Sequence, residues 1–358
     1  MKSFRYIAIL LGMAALLAGC VSTEIVDAPE REISFSVGSY APATKAVAVT
    51  EFTSFRSRAF LHAEGIGYTQ HFFGEGGETI TLQSAGLNNE WNPSHPYYWP
   101  KSSRSYINFV SWYDAKDTTP SALSETALAW NNYTVLPTDN LLWADEAWRF
   151  NDNVNPATYG TVSGVSQGIP TLFHHALAQV RFQGKIKSGC DSRGTLRWEV
   201  RVKNMNLAAV YNTGSIALTN SDPNTASTTR EWTVTGGNWT PSGNASTINM
   251  VGSTGTQITT TATDLLAMQS VLPQAVTSDM VLSFDWEIRT YRGSAETPFT
   301  TEVLSFSRSL LDIAPVVSDW TMGHRITYTL EFDPSTDTIV FSPALDTWNE
   351  ADAGVVVE

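Results

Sequence analysis

Apolar and polar residues alternate with a period of two along much of this chain, and that period places successive side chains on opposite faces of a β-strand. The first clear case is Ile33, Phe35 and Val37, separated by Ser34 and Ser36. Three further rows are longer or richer: Trp198, Val200 and Val202; Leu282, Phe284, Trp286 and Ile288; and Ile326, Tyr328, Leu330 and Phe332. The last row runs into an Asp333-Pro334 turn and a strand expected over 338–341. A short strand is expected over 79–82. Another is expected over 106–113, where large residues occupy both faces, and the end of the 170–182 run alternates at Val180 and Phe182. Glycine turns at 65–67 and 74–77 separate the early segments, and residues 221–263, rich in Ser, Thr, Asn and Gly, read as long surface loops. No long amphipathic helix and no short-period repeat is present. The pattern therefore predicts an all-β protein with minor helix, built as sandwiches of short strands.

One apolar run does not fit a strand. Residues 7–17 are continuously apolar, follow Lys2 and Arg5, and end at Leu17-Ala18-Gly19-Cys20. The run falls short of the roughly 20 residues a membrane helix needs, and its layout is that of a secretory signal. Its ending resembles the lipobox of bacterial lipoproteins, which implies a lipoprotein signal peptide over residues 1–20 with acylation of Cys20, whose amine becomes the new N-terminus. Residues 21–31 then form a polar spacer. Beyond the Ile33 strand, Pro42-Ala43-Thr44-Lys45-Ala46 is a small-residue connector with one basic residue, a natural target for a protease.

Composition narrows the function classes. Charged residues make up 16% of the 358, well under the usual quarter, which suits strands better than solvated helices. The formal net charge of −13, with no basic stripe, argues against a nucleic-acid partner. Cys20 and Cys190 are the only cysteines, so lipidation of the first leaves no intramolecular disulfide. No phosphate loop, dinucleotide glycine motif, zincin helix or nucleophile elbow occurs, and neither an enzyme activity nor a cofactor is expected. His174 and His175 are adjacent and point to opposite faces of a strand, which favours a hydrogen-bonded core ring over a shared metal. Asp333, Thr336 and Asp337 offer oxygen ligands, but a hairpin turn explains them with less assumption. The sequons at Asn132 and Asn238 are discounted in a bacterial lipoprotein. Trp91, Tyr97, Tyr98 and Trp99 read either as core or as a flat platform for a sugar ring.

Several separated segments together resemble the fimbrillin family of the Bacteroidales, the lipoprotein pilins of type V pili. They are the lipobox at Cys20, Tyr97-Tyr98-Trp99-Pro100 leading to Asn108-Phe109, and Phe173-His174-His175-Ala176-Leu177-Ala178. Leu272-Pro273-Gln274, Trp320-Thr321-Met322-Gly323 with Tyr328-Thr329-Leu330, and Ile339-Val340-Phe341 ending at Trp348 complete the set. The resemblance implies two tandem transthyretin-like β-sandwich domains, with boundaries here at 46–168 and 169–358 and a possible propeptide at 21–45. It also implies outer-membrane export, a maturation protease cutting between Lys45 and Ala46, and assembly with other fimbrial subunits on the cell surface, in contact with a host or bacterial receptor. Family members are cut after Arg more often than Lys; Arg31 and Arg56 are the lesser candidates. The strand of Ile33, Phe35 and Val37 would be displaced by that cut, and a C-terminal segment with Val355 and Val357 is the candidate donor strand for a neighbour. A base anchor would keep its lipid. The alternative is a non-polymerising outer-membrane lipoprotein that binds glycans through the 91–99 aromatics.

Overall fold

The computed structural model of the protein describes residues 32–39, 52–66, 70–83, 91–151, 168–220 and 229–348. Its principal strands in the first half are Phe35–Ser39 (β1), Ser54–His62 (β2), Glu78–Leu82 (β3), Trp91–Pro93 (β4), Tyr106–Asp114 (β5), Ala127–Thr134 (β6), Leu141–Ala144 (β7), Glu146–Phe150 (β8) and Ile169–His175 (β9). Ala178–Ile186 (β10), Leu196–Val210 (β11), Thr213–Thr219 (β12), Thr229–Arg230 (β13), Thr263–Val271 (β14), Val281–Arg292 (β15), Thr300–Ser309 (β16), His324–Asp333 (β17) and Thr338–Thr347 (β18) follow. The single α-helix among the described residues is one turn, Leu310–Ile313 (α1). The chain is all-β, as its period of two predicts.

Hydrogen bonding in the first half runs β5-β7-β9-β1-β4-β3-β2, and β2 pairs again with β5 through Arg56↔Trp112 to His62↔Tyr106. The path closes into a ring, which leaves none of these strands without a neighbour on either side. β5 shows why it needs apolar residues on both faces. Ile107 and Phe109 point into the ring, while Val110 and Trp112 point outward into a second core with Leu128, Trp130, Ile216 and Leu218. That outer core is covered by β6 paired with β12.

The second half is a sandwich. One sheet has the order β14-β10-β17-β18, with β10 parallel to β17; the other contains β11-β15-β16. Between them lie the rows expected from alternation: Leu282, Phe284, Trp286 and Ile288 face Ile326, Tyr328, Leu330 and Phe332, and all eight are buried.

One expectation needs correction. The polar stretch 221–263 is not simply loop: it carries β13 together with Thr233–Val234, Thr240–Pro241, Ser246–Val251 and Thr256–Ile258. Its tryptophans anchor it, Trp232 donating its indole N–H to the Ala144 carbonyl at 3.0 Å and Trp239 to that of Ala176 at 2.6 Å. Half-exposed edge strands need few apolar residues, so composition alone reads as loop. β9, β12 and β13, all from beyond residue 168, pair with strands of the first half.

β13 is held by a buried ion pair. Arg230 donates through Nε to Glu146 Oε2 at 2.7 Å and lies 3.6 Å over the ring of Trp148, while Asn220 donates to the same carboxylate oxygen at 2.7 Å. Glu146 is fully buried, and that burial pushes its carboxyl up to about 8 even against the lowering effect of Arg230.

The described chain ends against the junction of the halves. Trp348 stacks on His175 with centroids 3.9 Å apart, and its N–H reaches the Gly323 carbonyl at 2.7 Å. Burial first, then the charges of Arg325 and His174, hold the His175 imidazole down from 6.5 to about 3. A histidine whose folded pKa is depressed contributes stability that is fully present above its unfolded pKa and is lost as pH falls. The urea midpoint is therefore expected to drop between about pH 6.5 and about pH 3, and part of that drop should vanish in His175→Gln, measured as the difference between the two titrations.

Candidate functional site

The seat of β1 is built from the strand outward. Ser34 and Ser36 alternate with Ile33, Phe35 and Val37, so one face of this short segment is apolar and turns into the ring. Ile33 is 1% exposed and Phe35 0%; Val37 is half-buried against the same core. The Phe35 ring meets Phe55 and Phe109 edge-on at 5.6 and 5.5 Å, with Phe73 at 6.4 Å. Edge-on pairs suit the aromatic quadrupole. Burying Ile33 and Phe35 contributes about 3–6 kcal/mol at about 1.5–3 kcal/mol each.

The backbone is held on both sides. Towards β9 the ladder is parallel, from Phe35↔Ile169 to Ser39↔Phe173, and the Ile169 N–H donates to the Ser34 carbonyl at 2.8 Å. Towards β4 it is antiparallel at Phe35↔Trp91, and the Ile33 N–H donates to the Tyr97 carbonyl at 2.7 Å. Gly168 makes the approach close enough: a Cβ there would stand 2.5 Å from the carbonyl carbon of Phe35 and 2.7 Å from the nitrogen of Ser36. Backbone atoms cannot swing aside as a side chain does, so only glycine fits.

Of the residues singled out from sequence, Phe35 and Val37 on β1 and Ile33 just before it are brought together on one core. Cys20, Lys45, Ala46, Val355 and Val357 lie outside the described residues, as does Arg31. Arg56 belongs to β2 and is tied by Nη1 to Thr79 Oγ1 at 3.0 Å and by Nη2 to the Gly76 carbonyl at 2.9 Å. A paired strand is a poor protease substrate, which sets Arg56 aside. Gly168 and the aromatic wall of Phe55, Phe73 and Phe109 were missed; a buried glycine inside a loose, polar stretch gives no periodic signal.

The 91–99 aromatics do not assemble a platform. Trp91 is 1% exposed and packs on Phe52 and Phe55 at 5.7 and 5.6 Å, because its strand lines the ring. Tyr97 turns its hydroxyl to Glu78 at 3.1 Å and Trp99 packs on Phe109, leaving Tyr98 exposed. His174 binds Asp145 at 2.8 Å and His175 faces Asn140 at 3.2 Å, on opposite faces of β9. Asp333 accepts the N–H and hydroxyl of Ser335 at 3.1 and 2.6 Å, the geometry of a turn between β17 and β18. Burial, then the neighbouring Asp333, holds the Cys190 thiol above its ordinary value, which disfavours the reactive thiolate.

The model of the family described as fimbrillin-like matches residues 68–348. The chain belongs to the fimbrillin-like family. Membership places this fimbrillin-like protein among subunits of cell-surface fimbriae, which associate with one another in a structural role. Among solved structures, a fimbrial protein of Bacteroides vulgatus is similar over 89% of this chain and 100% of its own, at 16% identity and a TM-score of 0.49. The fimbrial anchor protein Mfa2 of Porphyromonas gingivalis is similar over 89% of this chain and 98% of its own, at 11% identity and a TM-score of 0.34. No curated protein matches the sequence. No helix among the described residues is long and apolar enough to cross a membrane.

Proposed function

We propose that this fimbrillin-like protein is a fimbrial subunit exported as a lipoprotein through Cys20, matured by a cut between Lys45 and Ala46, and joined to neighbouring subunits by exchange of β1 for a donated strand. The observation that carries the proposal is the seat of β1: a five-residue strand, completing a closed ring, with Phe35 at the centre of the core. The cut falls between β1 and β2, so it turns an intramolecular strand into a separate ligand and removes the high effective concentration that tethering supplies. Departure of β1 opens the ring and leaves β9 and β4 with unpaired edges, which seek a substitute strand. A donated strand supplies main-chain hydrogen bonds, with alternate side chains filling the pockets. Because donor and acceptor are different surfaces, the contact propagates instead of closing.

Cys20 precedes β1, so the acyl anchor leaves with the displaced strand. The mature chain then comprises sandwich units 46–168 and 169–358, the second lending β9, β12 and β13 to the first. Val355 and Val357 are the candidate donor residues, and a surface receptor is the partner of the assembled fimbria.

On cells, mass spectrometry of surface-extracted protein is expected to find Ala46 at the N-terminus without acyl groups, in ladders that survive detergent without boiling. Lys45→Ala is expected to retain acylated Cys20 and run as a monomer. Ladders of equal intensity from Lys45→Ala, with β1 still attached, would sink the proposal.

A further inference from the structure

The seat of β1 is specific in what it admits. Its central site is walled by three phenylalanine rings within 6.4 Å of the Phe35 centroid, and the site two positions earlier is filled by Ile33. Gly168 presses on the backbone at Phe35 and Ser36, so the occupant must run flush there. The parallel ladder with β9 fixes its direction. A fitting strand therefore runs parallel to β9 and carries a large aliphatic residue followed, two positions on, by an aromatic.

Residues 349–358, Asn-Glu-Ala-Asp-Ala-Gly-Val-Val-Val-Glu, do not meet that requirement. With Val355 at the Phe35 site, Ala353 takes the Ile33 site and Val357 the Val37 site. With Val357 at the Phe35 site, Val355 takes the Ile33 site. In each register that turns these valines inward, the space among Phe55, Phe73 and Phe109 receives Val or Ala and is left underfilled, which a close-packed core does not tolerate without loss.

Resting on the strand-exchange function proposed above, we infer that the groove vacated by β1 takes an aromatic-bearing strand from a different fimbrial subunit, and not the 349–358 segment of a second copy. Assembly at this face is heterologous in composition: the subunit joins a partner of another sequence, and its copies do not propagate through their 349–358 segments.

The test uses the purified full chain cut at the Lys45–Ala46 bond. The cut chain is incubated with excess fluorescent peptide while mass spectrometry follows release of the β1 fragment. One peptide carries the sequence of residues 32–39, a second the same sequence with Phe35→Val, and a third that of residues 349–358. The first is expected to enter and stay through gel filtration. The second should bind at least about tenfold more weakly, since losing part of a buried aromatic exceeds about 1.4 kcal/mol per decade of affinity. The third should not be retained, and the cut chain alone should remain monomeric. Retention of the 349–358 peptide equal to that of the first, equal binding of the Phe35→Val peptide, or ladders from the cut chain alone overturns the inference and leaves strand exchange standing. A fragment that never leaves, or an emptied site that takes no peptide, overturns both.

Discussion

Gly168→Val is expected to expel β1 from the ring and, under the strand exchange proposed above, to abolish fimbrial ladders on cells while leaving the Lys45–Ala46 bond unchanged. A Cβ at this position would meet the Phe35 carbonyl carbon at 2.5 Å and the Phe35 oxygen at 2.8 Å, distances that backbone atoms in a paired strand cannot relieve. The uncut chain then loses the burial of Ile33 and Phe35, about 3–6 kcal/mol, and hydrogen exchange at residues 33–37 should rise accordingly. The same clash bars any donated strand. Phe35→Ala is the informative contrast: it costs the uncut chain about 3–5 kcal/mol but leaves the acceptor groove whole, so ladders persist on cells and displacement after the cut is faster. Equal ladder loss in both variants would show that β1 is only a structural strand.

Where Glu146 is ionised, Arg230→Ala is expected to destabilise the protein by about 3–5 kcal/mol, because it strands a buried carboxylate without its partner. Glu146 is fully buried and Arg230 nearly so, and the guanidinium also covers Trp148. With the arginine gone, burial acts on Glu146 against only the Asn220 hydrogen bond. A carboxyl whose folded pKa is raised contributes stability that is present below its unfolded pKa and lost as pH rises. The penalty should therefore be flat up to about pH 8, where the intact pair begins to give up the Glu146 proton, and grow above it. Adding Glu146→Gln should restore the part of the loss that appears above about pH 8. Urea unfolding of the intact protein and both variants, from neutral pH to well above about pH 8, decides it; a penalty flat throughout would mean that lost packing on Trp148, and not charge, is what matters.

The strands of the second half were legible because each row of four apolar residues has a partner row across one core, and nothing else competes for those faces. Ile33, Phe35 and Val37 were legible for the same reason. Gly168 was not, since a close approach between residues 168 and 35 is a property of pairing across the sheet, invisible to local spacing. Trp91 was ambiguous because a large ring looks alike in sequence whether it lines a core or a surface. Arg230 lay in a polar stretch, and nothing in its neighbours announces that Glu146 waits for it on another strand. Topology, more than propensity, decided these positions.

The lengthwise pairing of β1 has a mechanical consequence. Its ladder to β9 runs five residues in one direction, with β4 gripping the opposite edge at Phe35. A strand so placed, pulled along its own axis, is loaded in shear, and its hydrogen bonds resist together; pulled sideways, it unzips one bond at a time. A donated strand in the same seat, aligned with the fimbrial axis, would transmit tension from subunit to subunit through its strongest mode. Tether rupture under axial force should then require far more force than peeling, a difference that single-molecule pulling in the two geometries measures directly.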